Sequence, residues 1–248
     1  MTKRLITLTT YGFFLLISFQ CTSQGDTQKA NNGTITGEGE IVTREITVDA
    51  MHGVKLDISG DVVLTQGSTQ KVVLEGQKNV IDNITRVVKN GIWNIDFDKD
   101  VRNAKSITVH ITLPMLDQVA VSGSGSIRSA TKFSGVTDMK IHIAGSGNVT
   151  LEYEASTTDV DLSGSGKVNL SGINNTLSVS IAGSGDVTAD NLKVDNCDVH
   201  ISGSGDALVN VDKNLETSIS GSGNVHYLGN AHVNSKISGS GEVSEVKR

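Results

Sequence analysis

The chain is short of the residues that usually staple, stiffen or decorate a fold. Of its 248 residues two are cysteine, one is proline and nine are aromatic. With only Cys21 and Cys197, no disulfide framework is available, and modification of Cys21 would leave no intramolecular pair at all. Beyond residue 23 the aromatics are Trp93, Phe97, Phe133, Tyr153 and Tyr227, too scattered to lay out a row of stacking platforms for a glycan. Tyr227 falls in the inward column of Leu151, Leu170 and Val209, whereas Phe133 and Tyr153 sit beside variable turns, where exposure is expected. Basic residues are also scarce. Without Lys3 and Arg4 the chain keeps 19 Lys and Arg against 27 Asp and Glu, a net charge of −8, which argues against nucleic acid and anionic membrane surfaces as partners.

Long apolar runs are absent except at the start. Met1-Thr2-Lys3-Arg4 precedes an apolar stretch from Leu5 to Phe19, too short to span a bilayer and followed at once by polar sequence. This pattern reads as an export signal over residues 1–23. Cys21, in "LISFQC", stands where a bacterial lipoprotein carries its lipidated cysteine, although Gln20 and Phe19 are bulkier than usual there. Cleavage after Ser23 is the alternative. Residues 24–40, rich in Gln, Asn, Thr and Gly, read as a flexible tether.

What is abundant is glycine, and it is periodic. Gly-Ser-Gly begins at Gly123, Gly145, Gly164, Gly183, Gly203, Gly221 and Gly239, in steps of 22, 19, 19, 20, 18 and 18 residues. A fixed period of this size marks a repeat architecture. Two and four positions before each first glycine lie apolar pairs such as Val121 and Val119, Ile143 and Ile141, or Ile201 and Val199. Four positions after it lie Ile127, Val149, Val168, Val187, Ala207, Val225 and Val243. Each copy is therefore a period-2 strand, a glycine corner and a second short period-2 strand.

One such unit buries too little apolar surface to offset the entropy of ordering it, so units must stack. The expected fold is all-β: a right-handed parallel β-helix of roughly 18–22 residues per coil. The central serines, Ser124 to Ser240, would form a ladder whose hydroxyls bond from coil to coil. An antiparallel β-meander turning at each Gly-Ser-Gly is the alternative, disfavoured because the strand before the corner is longer than the one after it. Residues 41–248 read as one domain, with 41–116 an irregular, capping start and 117–248 the regular coils. Within the start, Val54 to Gly67 resembles a degenerate coil with Ser59-Gly60-Asp61 as its corner, and Asn90-Gly91 signals a two-residue hairpin. Charged Glu242, Glu245, Lys247 and Arg248 protect the far edge.

An export signal, "DISGDVVLTQG", "VKNGIWNIDF" and iterated "ISGSGDV", "IAGSGNV" and "ISGSGEV" together resemble the auto-transporter adhesin head family, which carries the GIN domain and is common among envelope lipoproteins and secreted proteins of the Bacteroidetes. The resemblance covers residues 41–248. It implies a right-handed parallel β-helix at the cell envelope, on the outer membrane, at the cell surface or in the periplasm, and no characterised activity.

Chemistry in the columns is sparse. A serine repeated seven times in a corner is a structural serine, since a nucleophile is needed once. Three positions before the corners run Ala120, His142, Asp161, Ser180, His200, Ser218 and Lys236. On adjacent coils His142, Asp161 and Ser180 stand in the wrong order for a triad, because the histidine must lie between acid and serine. Three positions after each first glycine, Asp186 and Asp206 fall on neighbouring coils, a like-charge contact that calcium would relieve with Asn224 as a further oxygen ligand. The plainer reading is two solvated carboxylates, one paired with Lys167. The sequence thus supports a non-enzymatic, adhesin-like binding or scaffold protein of the envelope, without cofactor, whose partners would be a surface glycan or an envelope protein. Its specificity is expected on variable turns such as Asn174-Asn175, Asn191 to Asn196 and Gly229-Asn230. A polysaccharide-acting enzyme and a purely structural element are the alternatives.

Overall fold

The structure is a computed structural model that describes residues 33–247, and it is a parallel β-solenoid of about seven turns. The signal segment, Cys21 and residues 24–32 lie outside the described residues. The period-2 pattern becomes strand because every second side chain has a core to enter. Val119, Ile141, Val160, Val179 and Val199 stack in one column, and Val121, Ile143, Leu162, Ile181, Ile201 and Ile219 in the next, all essentially without solvent exposure. Each buried aliphatic contributes about 1.5–3 kcal/mol. All strand pairs from Gln118–Gly123 to Val243–Glu245 are parallel, which excludes the meander.

The glycine corners stay in register along the whole stack, Gly123 with Gly145, Gly164, Gly183, Gly203, Gly221 and Gly239. The first glycine of each has φ between +107° and +137°, a region that L side chains avoid. Stacking adds a second constraint. A Cβ on Gly203 would lie 2.2 Å from the carbonyl oxygen of Gly183. The bonds that join the corners are backbone rather than hydroxyl: the amides of Ser146, Ser165, Ser184, Ser204, Ser222 and Ser240 donate to the first glycine of the coil before, at 2.8–2.9 Å. A serine hydroxyl pair occurs at the irregular corner, where Ser59 Oγ and Ser124 Oγ are 3.1 Å apart. Variation in coil length is absorbed away from the corners, at register shifts between Phe133 and Val136 and between Ala189 and Lys193.

The irregular start is folded back on itself. Gly53–Leu56 and Asp61–Gln66 form a coil about the Ser59-Gly60-Asp61 corner. That coil pairs on one side with Gln118–Gly123 and Ser126–Ser129, and on the other with Ile92–Ile95 and Thr108–Leu113. The coil that comes first in the sequence is thus held between two later ones. Lys71–Gln77 then runs antiparallel to Thr108–Leu113 and to Ile41–Ile46, ending the parallel stack. The Asn90-Gly91 hairpin forms with φ of 52° and 74°, and Trp93 beside it is fully buried with Nε1 donating to the carbonyl of Thr85 at 3.0 Å.

Two expectations need correction. Thr34–Thr36 is a strand paired with Asp100–Arg102, so the last part of the 24–40 tether belongs to the folded unit. Phe133 and Tyr153, expected to be exposed, are fully buried and stacked on one another in register. The coil bends at these positions and turns both rings inward, and burial pushes the Tyr153 phenol well above its ordinary range. Cys197 is a buried free thiol whose pKa burial likewise raises. At the far end Ile237 is 44% exposed, against 1% for Ile219 beneath it.

The two constraints on the corner separate by mutation. A Cβ on Gly123 meets nothing within 4 Å, so Gly123→Ala carries only backbone strain, about 1–3 kcal/mol. Gly203→Ala adds an overlap with backbone that cannot move aside, and loses about a further 1–3 kcal/mol. Urea unfolding of the two variants measures the difference. Equal destabilisation would show that φ alone fixes the glycine.

Candidate functional site

The outward polar column stands as the register predicts. His142 pairs with Asp161, Asp161 with Ser180, and Ser180 with His200, so the acid lies between histidine and serine. The side chain His200 meets is Asp198, two residues away on its own strand, with Nδ1 3.1 Å from the carboxylate. His142 and Asp161 line a shallow pocket of about 450 Å³ on this face, and Asp198 and His200 a smaller one of about 140 Å³.

The Asp186, Asp206 and Asn224 column has a structural task. In the earlier coils the backbone closes this position by itself: the amides of Asn148, Lys167 and Asp186 donate to the carbonyls of Gly125, Gly147 and Gly166 at 3.0–3.1 Å. The carbonyls of the same column accept from the coil before, those of Asp206, Asn224 and Glu242 from the amides of Val187, Ala207 and Val225 at 2.8–2.9 Å. From Asn224 onward the column's own amides turn from the corner glycine to side-chain oxygens. Asp206 Oδ1 accepts from the Asn224 amide at 2.8 Å and from its Nδ2 at 3.0 Å, and Asn224 Oδ1 accepts from the Glu242 amide at 3.1 Å. Asp186 forms an ion pair with Lys167, Nζ to Oδ2 3.4 Å. Of the atoms proposed as calcium ligands, Asp206 Oδ1 and Asn224 Oδ1 are thus engaged in coil-to-coil hydrogen bonds and Asp186 Oδ2 faces Lys167. Among the described residues no group of three or more His, Cys, Asp or Glu side chains is placed to hold a metal.

The variable turns divide. Asn174 is buried, its Nδ2 donating to the carbonyl of Thr176 at 2.7 Å, and so it braces the bend. Asn175, Asn191 and Asn230 remain exposed.

Sequence reasoning missed two features of the irregular start. His52 Nδ1 lies 2.6 Å from Asp117 Oδ1, across 65 residues of chain. The ring packs over the hairpin so closely that a Cβ on Gly91 would be 2.0 Å from Nε2. This pair ties the hairpin to the first regular coil. The second feature is a cleft of about 590 Å³ where the segment from Phe97 to Ile107 overhangs the first corners. Its floor is Ser59, Gly60 and Asp61, then Ser124 and Ser126 of the next coil, then Asn148 of the one after. Its overhanging wall includes Phe97, Val101 and Lys105. The wall is fixed by the Asp61 amide, which donates to the Ile107 carbonyl at 2.9 Å, and by the Lys105 amide, which donates at 2.9 Å to Oε1 of Gln77, itself only 4% exposed. The one hint in the sequence is the polar run between Phe97 and Ile107 that interrupts the strand pattern.

A family model described as "Putative auto-transporter adhesin, head GIN domain" matches residues 50–231. Among solved structures, a putative adhesin from Bacteroides fragilis NCTC 9343 is 21% identical, with 86% of this chain and 100% of that one aligned at a TM-score of 0.74. A putative lipid binding protein from Parabacteroides distasonis ATCC 8503 is 24% identical over 87% and 100% of the two chains, TM-score 0.72. A putative adhesin from Parabacteroides merdae ATCC 43184 is 23% identical over 86% and 99%, TM-score 0.70. At these identities the likeness is one of fold. No curated protein matches the chain.

The assignment of Asp206 to the backbone yields a clear expectation. Asp206→Ala strands the Asn224 amide and loses about 1–3 kcal/mol, whereas Asp206→Asn retains an acceptor oxygen and most of the stability. Thermal unfolding with calcium and with chelator distinguishes this from a metal site, where both variants would lose a calcium-dependent gain that the parent shows.

Proposed function

The chain belongs to the auto-transporter adhesin head family with the GIN domain, and on that footing we propose that it is a non-enzymatic, adhesin-like binding protein of the bacterial envelope. The observation that supports this reading is the preformed polar cleft under the Phe97–Ile107 overhang, held on a stack whose backbone bonding leaves little room to deform. Rigid placement of polar groups favours binding, because little ordering remains to be done when a ligand arrives. The reading includes export by the leader and lipidation at Cys21. A diacylated cysteine gives lasting attachment where one acyl chain would be marginal. Residues beyond the leader then stand off the membrane, with the solenoid presented to the medium.

Two measurements test it. The labelled, purified chain from residue 24 onward should bind intact cells or isolated envelope polysaccharide saturably and release no reducing ends on prolonged incubation. Steady release of reducing sugar would replace the binding reading with a hydrolase. In cells, Cys21→Ser should move the protein from the membrane fraction to the soluble one, and an unchanged distribution would remove the lipid anchor.

A further inference from the structure

We propose that the cleft beneath the Phe97–Ile107 overhang is a site for a neutral saccharide. The proposal rests on the adhesin-like reading and gives it a place and a ligand class. Three properties of the cleft point there.

The first is its polar complement. Ser59, Ser124 and Ser126 bring hydroxyls and Asn148 an amide, groups that both donate and accept. Sugar hydroxyls have the same double capacity, whereas a phosphate or carboxylate only accepts. Ser126 Oγ donates to Asp61 Oδ1, which orients that carboxylate and leaves its remaining lone pairs for donors from a ligand.

The second is charge. Among the described residues the cleft holds one cation, Lys105, and one anion, Asp61. An anionic sugar would meet Asp61 and a cationic ligand Lys105, so a ligand of either sign loses on one wall what it gains on the other. A neutral ligand uses both as hydrogen-bonding groups.

The third is shape. About 590 Å³ falls within the ~300–1,000 Å³ range of small-ligand sites. Phe97 and Val101 add apolar surface on the overhang, which suits the C–H faces of a pyranose. The floor is closely packed from below, since a Cβ on Gly60 would lie 3.1 Å from the Ile107 carbonyl and one on Gly125 2.7 Å from the Ile58 carbonyl.

The test is a glycan array probed with the chain from residue 24 onward and with three variants. Ser106→Trp fills the cleft from its rim, Asn148→Ala removes one floor amide, and Ser180→Trp places equal bulk on the exposed outward column, away from the cleft, as a control. Matching melting curves establish that all remain folded. Binding to neutral glycans is expected for the parent and for Ser180→Trp, with a loss of about tenfold in Asn148→Ala and no binding in Ser106→Trp. Full binding by Ser106→Trp, or selection of sialylated or uronic acid glycans by the parent, overturns the cleft assignment and leaves the adhesin-like reading standing. Silence of the parent on every glycan overturns the saccharide proposal. If the same protein also fails to bind intact cells, the broader reading falls with it.

Discussion

The backbone bond from each corner serine to the first glycine of the coil before it governs the rest of the molecule. It requires successive corners to lie directly on one another, and from Gly145 onward that alignment leaves no room for a Cβ on the first glycine of the corner. Once the corners are fixed, the strands on either side have no freedom of register. A slip of one residue would turn every core aliphatic outward. The seven copies of Gly-Ser-Gly are thus the geometric origin from which both flanking faces are measured. Differences in coil length are pushed to the far bends, where Phe133 and Tyr153 or Asn174 fill or brace whatever space results.

The same constraint explains residues that invite a chemical interpretation. Asp206 and Asn224 would suit calcium by composition, yet each has the amide of the next coil to satisfy. Lys167 and Asp186 stand where the corner glycine of the coil before accepts that amide instead. The cleft proposed to take a ligand opens where the regular constraint lapses, between the Ser59-Gly60-Asp61 corner and the overhang, and reaches Ser124 and Asn148 of the first regular coils. That corner and the overhang are the part of the stack with no repeat to obey.

How much was legible in the sequence follows the same division. The parallel coils, their period, the corner glycines and the inward columns were all readable, because each depends on residues local to one repeat and recurs in the next. The degenerate coil at Val54 to Gly67 and the Asn90-Gly91 hairpin were readable through local turn chemistry. The antiparallel pairing within the capping start, the strand at Thr34–Thr36, the His52–Asp117 pair and the cleft were not. Each arises from a contact between distant segments that occurs once, so no periodicity announces it. The inward turn of Phe133 and Tyr153 was missed because the bend between faces has no fixed side-chain alternation.

The order of the coils in space has a mechanical consequence. At the carboxyl end each coil is held only by the one beneath it, so tension there would strip the stack one turn at a time. Each event would free a nearly constant 18–20 residues, roughly 60–70 Å of extended chain. At the amino end only Thr34–Thr36 and Ile41–Ile46, each paired on one side, can peel before the load reaches the first coil of the sequence, which is clamped between two later ones. A load passing through the molecule therefore meets a fuse at one end and an anchor block at the other.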